Sequence, residues 1–123
     1  MRETIQTEHA APAIGPYSQG IVVGNLLFTS GQLPVDPESG QIPARFEDQV
    51  EQVIQNIQAI AQAAGSSLDR TVKTLCFLTD MDTFATFNEV YARHFTGKPA
   101  RSCVAVKALP KGARVEVEAI IER

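Results

Sequence analysis

The sequence predicts an α+β fold: a two-layer sandwich in which a mixed sheet carries two helices on one face. Three observations lead there. Apolar residues recur at helical spacing in only two stretches, while five shorter segments alternate or cluster as strands do, in the order ββ, α, β, α, ββ. Two helices are too few to cover both faces of a sheet with five or more strands, so both belong on one side. The 123 residues suit a single domain, 1–123, with no room for a second core.

The elements follow in order. Gly24-Asn25 sits between apolar runs in Gly20–Val35 and reads as a hairpin turn. The turn formers from Val35 to Gly40 mark a surface loop. From Arg45 to Ala64, Phe46, Val50, Val53, Ile54, Ile57, Ile60 and Ala61 recur at spacings of three, four and one, an amphipathic helix that Gly65 is placed to end. Arg70–Thr79 is apolar and β-branched enough for a strand buried on both faces. Asp82 then reads as the N-cap of a second helix, with Phe84, Phe87, Tyr91 and Phe95 on one side and Gly97 at its end. Two strands close the chain, Ser102–Ala108 and Arg114–Ile121, joined by a Leu109-Pro110-Lys111-Gly112 turn.

Composition narrows the function classes. Hydrophobic residues make up 44% and charged residues 20%, which excludes a disordered or collagen-like chain. The net charge is −3 and the basic residues are scattered, which disfavours nucleic acid as a partner. The first twenty residues lack the apolar stretch of a secretory signal, and no run has the length of a membrane span, so the expected location is cytoplasmic. Cys76 and Cys103 show no metal-type spacing and are expected as free thiols, Cys76 in the core. His9 and His94 have no ligand companions, so no metal site is expected and both read as surface residues.

Chemistry concentrates in the last two strands. Paired as a hairpin, they would put Val104 and Val106 on the core face with Val115 and Val117. Arg101, Cys103, Glu116 and Glu118 would then lie together on the face away from the helices. Ala105 and Ile120 share that face, so it suits burial against another subunit. A guanidinium there can grip a carboxylate with two hydrogen bonds, and Glu116 can hold a water or pass a proton. Cys103 has the type of a nucleophile but no recognisable base. An exposed Arg–Glu cross-strand pair beside a buried Cys explains the same pattern without function. Phe84, Phe87 and Phe95 read as packing rather than as a stacking platform, and Glu118 as a structural partner of Arg114 or Arg101.

The segments Ala13–Gly20 (AIGPYSQG), Phe28–Pro37 (FTSGQLPVDP), Arg101–Val106 (RSCVAV), Leu109–Gly112 (LPKG) and Val115–Ile120 (VEVEAI) together resemble the reactive intermediate deaminase (Rid) family over essentially the whole chain. The resemblance implies a fold like that of the trimeric chorismate mutases, assembled as a homotrimer with sites between subunits. It implies cofactor-free hydrolysis of 2-imino or enamine acids such as 2-aminoacrylate to 2-keto acids and ammonia, in functional partnership with pyridoxal-phosphate enzymes that release such species. By the same resemblance Arg101 binds the substrate carboxylate and Glu116 attends the attacking water. Cys103 lines the pocket, and Tyr17, Ser30, Gly31 and Asn88 complete it across the interface. The segment Phe95–Pro99 is shorter than in many relatives and bears on the size of substrate admitted. Other functions compatible with the resemblance are a non-catalytic trimer that senses a carboxylate ligand and an endoribonuclease or translation inhibitor, the latter disfavoured by the acidic charge. Chorismate mutase activity rests on fold analogy alone.

Overall fold

The periodic stretch ahead of Gly65 forms α1 (Phe46–Ala63), and its Val50, Val53, Ile54, Ile57 and Ile60 are wholly buried, as their spacing requires. Gly65 ends the helix at φ +80°, a left-handed conformation that glycine adopts without a Cβ clash. Two buried polar residues that the periodicity does not reveal tie this helix to the rest of the chain. Gln49 donates to the Pro43 carbonyl (2.9 Å) and accepts from the Arg114 N–H (3.0 Å). Asn56 donates to the carbonyls of Leu33 and Val35. The computed structural model describes residues 2–123.

The second helix, α2 (Phe84–His94), starts later than its expected cap. A single 3-10 turn, Met81–Thr83, precedes it, and the Asp80 carboxylate accepts the Asp82 N–H at 2.9 Å, so Asp80 and not Asp82 caps this entry. Nor does Gly97 end the helix in a left-handed conformation; that conformation falls on Lys98 (φ +52°). Gly97 is needed for another reason: a Cβ there would lie 3.1 Å from the Asp69 carbonyl oxygen. Residues of α1 and α2 pack together in one apolar core over one sheet face.

Among the described residues the sheet has six strands: β1 (Arg2–Ile5), β2 (Gly20–Val23), β3 (Leu26–Thr29), β4 (Thr71–Leu78), β5 (Ala100–Ala105) and β6 (Val115–Glu122), in the order β1-β2-β3-β6-β4-β5. β1 is short, polar and absent from the sequence reading; it pairs antiparallel with β2. The hairpin at Gly24 holds, with φ +61° there. The expected pairing of the last two strands does not. β4 lies between them, antiparallel to β6 and parallel to β5, which makes the sheet mixed. α2 supplies the long crossover that a parallel pair needs.

β4 is buried on one face only. Thr71, Thr74, Cys76 and Leu78 are buried, while Leu75 and Phe77 on the outer face are half-buried. Beside them on that face stand Ile120, Phe28 (41% exposed) and Val104 (48% exposed). Among the described residues no helix is long and apolar enough to cross a membrane.

Candidate active site in two halves

The register decides where each candidate residue points. Along β4, Thr74 pairs with Arg101 on one side and Ala119 on the other, and Cys76 pairs with Cys103 and Val117. Cross-strand partners share a face, so Arg101 and Cys103 point to the helix side. Phe77 pairs with Val104 and Glu116, which point to the outer side with Glu118. The expectation that Arg101, Cys103, Glu116 and Glu118 share one face is therefore corrected, as is the placing of Val104 in the core. The apolar identity of Val104 suggested a core position, but β5 is an edge strand, and α2 offers Arg101 a better neighbour on the helix side.

That neighbour is aromatic. The Arg101 guanidinium carbon lies 4.9 Å from the Tyr91 ring centroid, 5.5 Å from Phe84 and 5.9 Å from Phe87. These rings face the cation, and the attraction strengthens as water is excluded. Asn88, one turn along from Phe84, accepts from Arg101 Nη1 at 2.7 Å. Among the described residues no carboxylate pairs with Arg101, so the remaining N–H groups of the fork are uncommitted. The spacing of Phe84, Phe87 and Tyr91 was visible in the sequence, but their role beneath a cation was not. Cys103 packs against the core beside them. Burial pushes its thiol up, against the opposing pull of Arg101. A thiol held protonated is a poor nucleophile.

The other half forms where β3 and β6 separate. Their pairing runs to Phe28–Ile120 and resumes as a single bridge, Gln32–Val117, with one residue more on the first strand. This is a bulge, and it carries Ser30 and Gly31. The Ser30 N–H donates to Gln19 (2.9 Å) and its hydroxyl to the Ser18 carbonyl, which fixes the bulge against the preceding segment. Gly31 lies directly against the Glu116 carboxylate, and a Cβ there would collide with it. Burial first, and the charge of Glu118 second, push the Glu116 carboxyl above the ordinary carboxylate range. Glu118 makes no ion pair with Arg101 or Arg114; the Arg114 guanidinium instead donates to the Ala44 carbonyl (2.6 Å).

Tyr17 joins this second half. It is 52% exposed, and with Gly31, Pro37, Pro110 and Lys111 it lines a cleft of about 620 Å³. Lys111 adopts a left-handed conformation there, at φ +62°. The sequence-predicted residues thus fall into two groups in one chain: Arg101, Asn88 and Cys103 at the helix-side edge, and Tyr17, Ser30, Gly31 and Glu116 around the bulge. His94 is not a free surface residue; its Nε2 lies 2.8 Å from Glu51 on α1. The described residues contain no group of three His, Cys, Asp or Glu able to hold a metal ion.

Comparison with known proteins bears on this arrangement. The profile of the family described as Endoribonuclease L-PSP matches residues 7–123. The chain is 47% identical over 127 residues to the 2-iminobutanoate/2-iminopropanoate deaminase of Escherichia coli, covering 100% of this chain and 99% of that one. It belongs to the Rid family. Among other Rid relatives, the RutC family protein y4sK of Sinorhizobium fredii is 56% identical over 123 residues, covering 98% of each chain. The crystal structure of Escherichia coli TdcF with bound serine superposes with a TM-score of 0.95 at 46% identity, covering 98% of both chains. The α+β architecture is therefore that of the Rid proteins, and membership together with the deaminase relative supports deaminase chemistry in general terms.

Proposed function

We propose that this Rid protein hydrolyses 2-imino and enamine acids, 2-aminoacrylate among them, to 2-keto acids and ammonia, at sites formed between the subunits of a cytoplasmic homotrimer. The observation that carries the reading is the Arg101 guanidinium, laid on three aromatic rings and paired with no carboxylate among the described residues. Such a fork suits the carboxylate of a small acid. A relative that holds serine in its crystal, an amino acid with the same carboxylate, is consistent with this.

The two-sided placement supports the subunit arrangement. Arg101 and Glu116 point to opposite faces of one sheet, so one chain does not present both to one ligand. The outer face carries Phe28, Leu75, Phe77, Val104 and Ile120, and β5 has an unpaired edge; both suit cover by a second copy. A neighbour would then bring its Gly31–Glu116 half to the Arg101–Asn88 half.

In the mechanism, Arg101 anchors the carboxylate and orients the imine carbon. An enamine enters this step as its imine tautomer; Glu116 holds a water, accepts its proton as the oxygen adds to the C=N carbon, and hands that proton to the nitrogen to give a carbinolamine. Glu116, with its raised carboxyl, then takes the carbinolamine hydroxyl proton and delivers it to the departing nitrogen as the C=O bond forms. The C–N bond breaks, ammonia leaves and the 2-keto acid remains. Positioning and exclusion of water suffice for so reactive an intermediate, and no cofactor is required. Cys103 lines the site as a neutral thiol. Pyridoxal-phosphate enzymes that release 2-imino acids are the functional partners.

The test generates 2-aminoacrylate with a serine or threonine dehydratase and follows pyruvate. Acceleration by the wild type and its loss in a folded Arg101→Ala variant is the expected result. Absence of acceleration together with saturable binding of a 2-keto acid would assign the pocket to ligand sensing.

A further inference from the structure

We infer that Tyr91 is a positioning residue for Arg101, with Thr74 and Phe95 as its supports; the inference rests on the reading of Arg101 as the carboxylate anchor. An arginine side chain has several rotatable bonds, and a fork that wanders must be ordered each time a ligand binds. In this chain the ring nearest the guanidinium is Tyr91, at 4.9 Å, and that ring is itself held at two points. Its hydroxyl is hydrogen-bonded to the Thr74 hydroxyl at 2.7 Å, a buried contact. Its face is stacked on Phe95, with centroids 4.5 Å apart. Phe87 meets it at a tilt, at 5.5 Å.

Thr74 connects these facts. It is the residue that β4 places directly beside Arg101 in the parallel register, and it is wholly buried. The sheet position that carries the arginine is therefore bonded, through its neighbour, to the ring on which the arginine lies. Backbone of β5, side chain of β4 and ring of α2 form a closed frame around the guanidinium, and Asn88 fixes one of its nitrogens at 2.7 Å. None of these contacts uses the remaining N–H groups. The frame sets the direction of the fork before ligand arrives. Tyr91 touches no reacting atom; it acts through Arg101.

The expected signature is a split in the kinetic constants. Tyr91→Leu removes ring and hydroxyl and is expected to raise KM about tenfold while kcat changes by less than about threefold, because carboxylate grip is lost and water addition is not. Tyr91→Phe keeps the ring and is expected to recover most of the affinity. Phe84→Leu, at a half-buried ring 5.5 Å from the guanidinium, is the second variant should Tyr91→Leu fail to fold, and a smaller rise in KM is expected there.

A readout independent of turnover separates this inference from the proposed function. The Arg101 Nε–H signal in a two-dimensional NMR spectrum, assigned by its disappearance in Arg101→Lys, is expected to show slow guanidinium motion in the wild type and in Tyr91→Phe. It is expected to become motionally averaged in Tyr91→Leu or, in part, in Phe84→Leu. If the motion changes in this way but no wild-type deamination is found, the positioning role stands and the activity falls. If the guanidinium is equally ordered in the wild type and in the ring-deleted variants, the positioning role is overturned, whatever the activity.

Discussion

The two halves of the candidate site are built in opposite ways. Around Arg101 the chain supplies many contacts: three rings, the side-chain oxygen of Asn88 and the Thr74–Tyr91 hydrogen bond all fix the cation. Around Glu116 it supplies space: a glycine without a Cβ, a bulge and, among the described residues, no hydrogen bond that lowers the carboxyl. The difference suits different tasks. A group that binds must be ordered in advance, whereas a group that exchanges a proton works best with its charged form only weakly stabilised.

The sharpest way to break that contrast is at the binding half. Arg101→Ala is expected to lower kcat/KM for 2-aminoacrylate hydrolysis by about a hundredfold or more, because the whole charge-assisted pair with the substrate carboxylate goes. Arg101→Lys keeps the charge but not the fork and should recover only part of it. Steady-state kinetics of folded variants decides this.

Gly31→Ala probes the other half and is expected to dissociate function from stability. The added Cβ collides with the far end of the Glu116 side chain, which can swing away at little cost to the fold. Thermal unfolding should therefore change little while activity falls by about tenfold or more. In a double-mutant cycle with Glu116→Gln the two losses should be strongly non-additive, since both act on one carboxylate.

A pH profile sharpens the account of Glu116. Because its carboxyl is raised, kcat/KM should begin to fall, as pH is lowered, at a pH above the ordinary glutamate value of 4.5, as the base becomes protonated. Glu118→Gln removes the second cause of the rise and should move that limb to lower pH. The stability sign is opposite to that of a paired carboxylate. With the folded value raised, ionised Glu116 opposes folding; its favourable contribution is fully present below 4.5 and is lost as pH rises through the folded value. Glu116→Gln should thus stabilise the protein at neutral pH and not below pH 4.5.

The smallest effect is expected far from both halves. Glu51 and His94 pin α1 to α2 at 2.8 Å in a part-exposed pair. Burial works to raise the Glu51 carboxyl but is outweighed by hydrogen bonds from His94 and Gln55, so the net direction is down. His94→Ala should cost about 1 kcal/mol or less in urea unfolding. The Glu51 contribution is present above its unfolded value and is lost as pH falls through the lowered folded value.

The sequence made some of this legible and hid the rest for physical reasons. Helix α1 was plain because its apolar positions keep a helical period over eighteen residues, and the Gly24 turn because it needs a positive φ. The strand order was hidden. The Leu109–Gly112 turn ahead of the last strand argues for a hairpin, and nothing local announces that β4 inserts between β5 and β6. The facing of β5 depends on that order: in a hairpin Val104 reads as core and Arg101 as surface, whereas an edge strand beside an aromatic helix reverses both. The site residues were recognisable only as family motifs; their division between two faces required the register.

Subunit mixing decides whether the two halves meet between chains. Arg101→Ala and Glu116→Gln proteins, each inactive, would be unfolded, mixed in equal amounts, refolded together and assayed. Random assembly brings an intact Arg101 from one chain against an intact Glu116 from its neighbour at roughly a quarter of interfaces, so roughly a quarter of wild-type activity should return. If the mixture stays as inactive as its parents although mixed oligomers have formed, the two halves do not meet between chains, and the account is wrong.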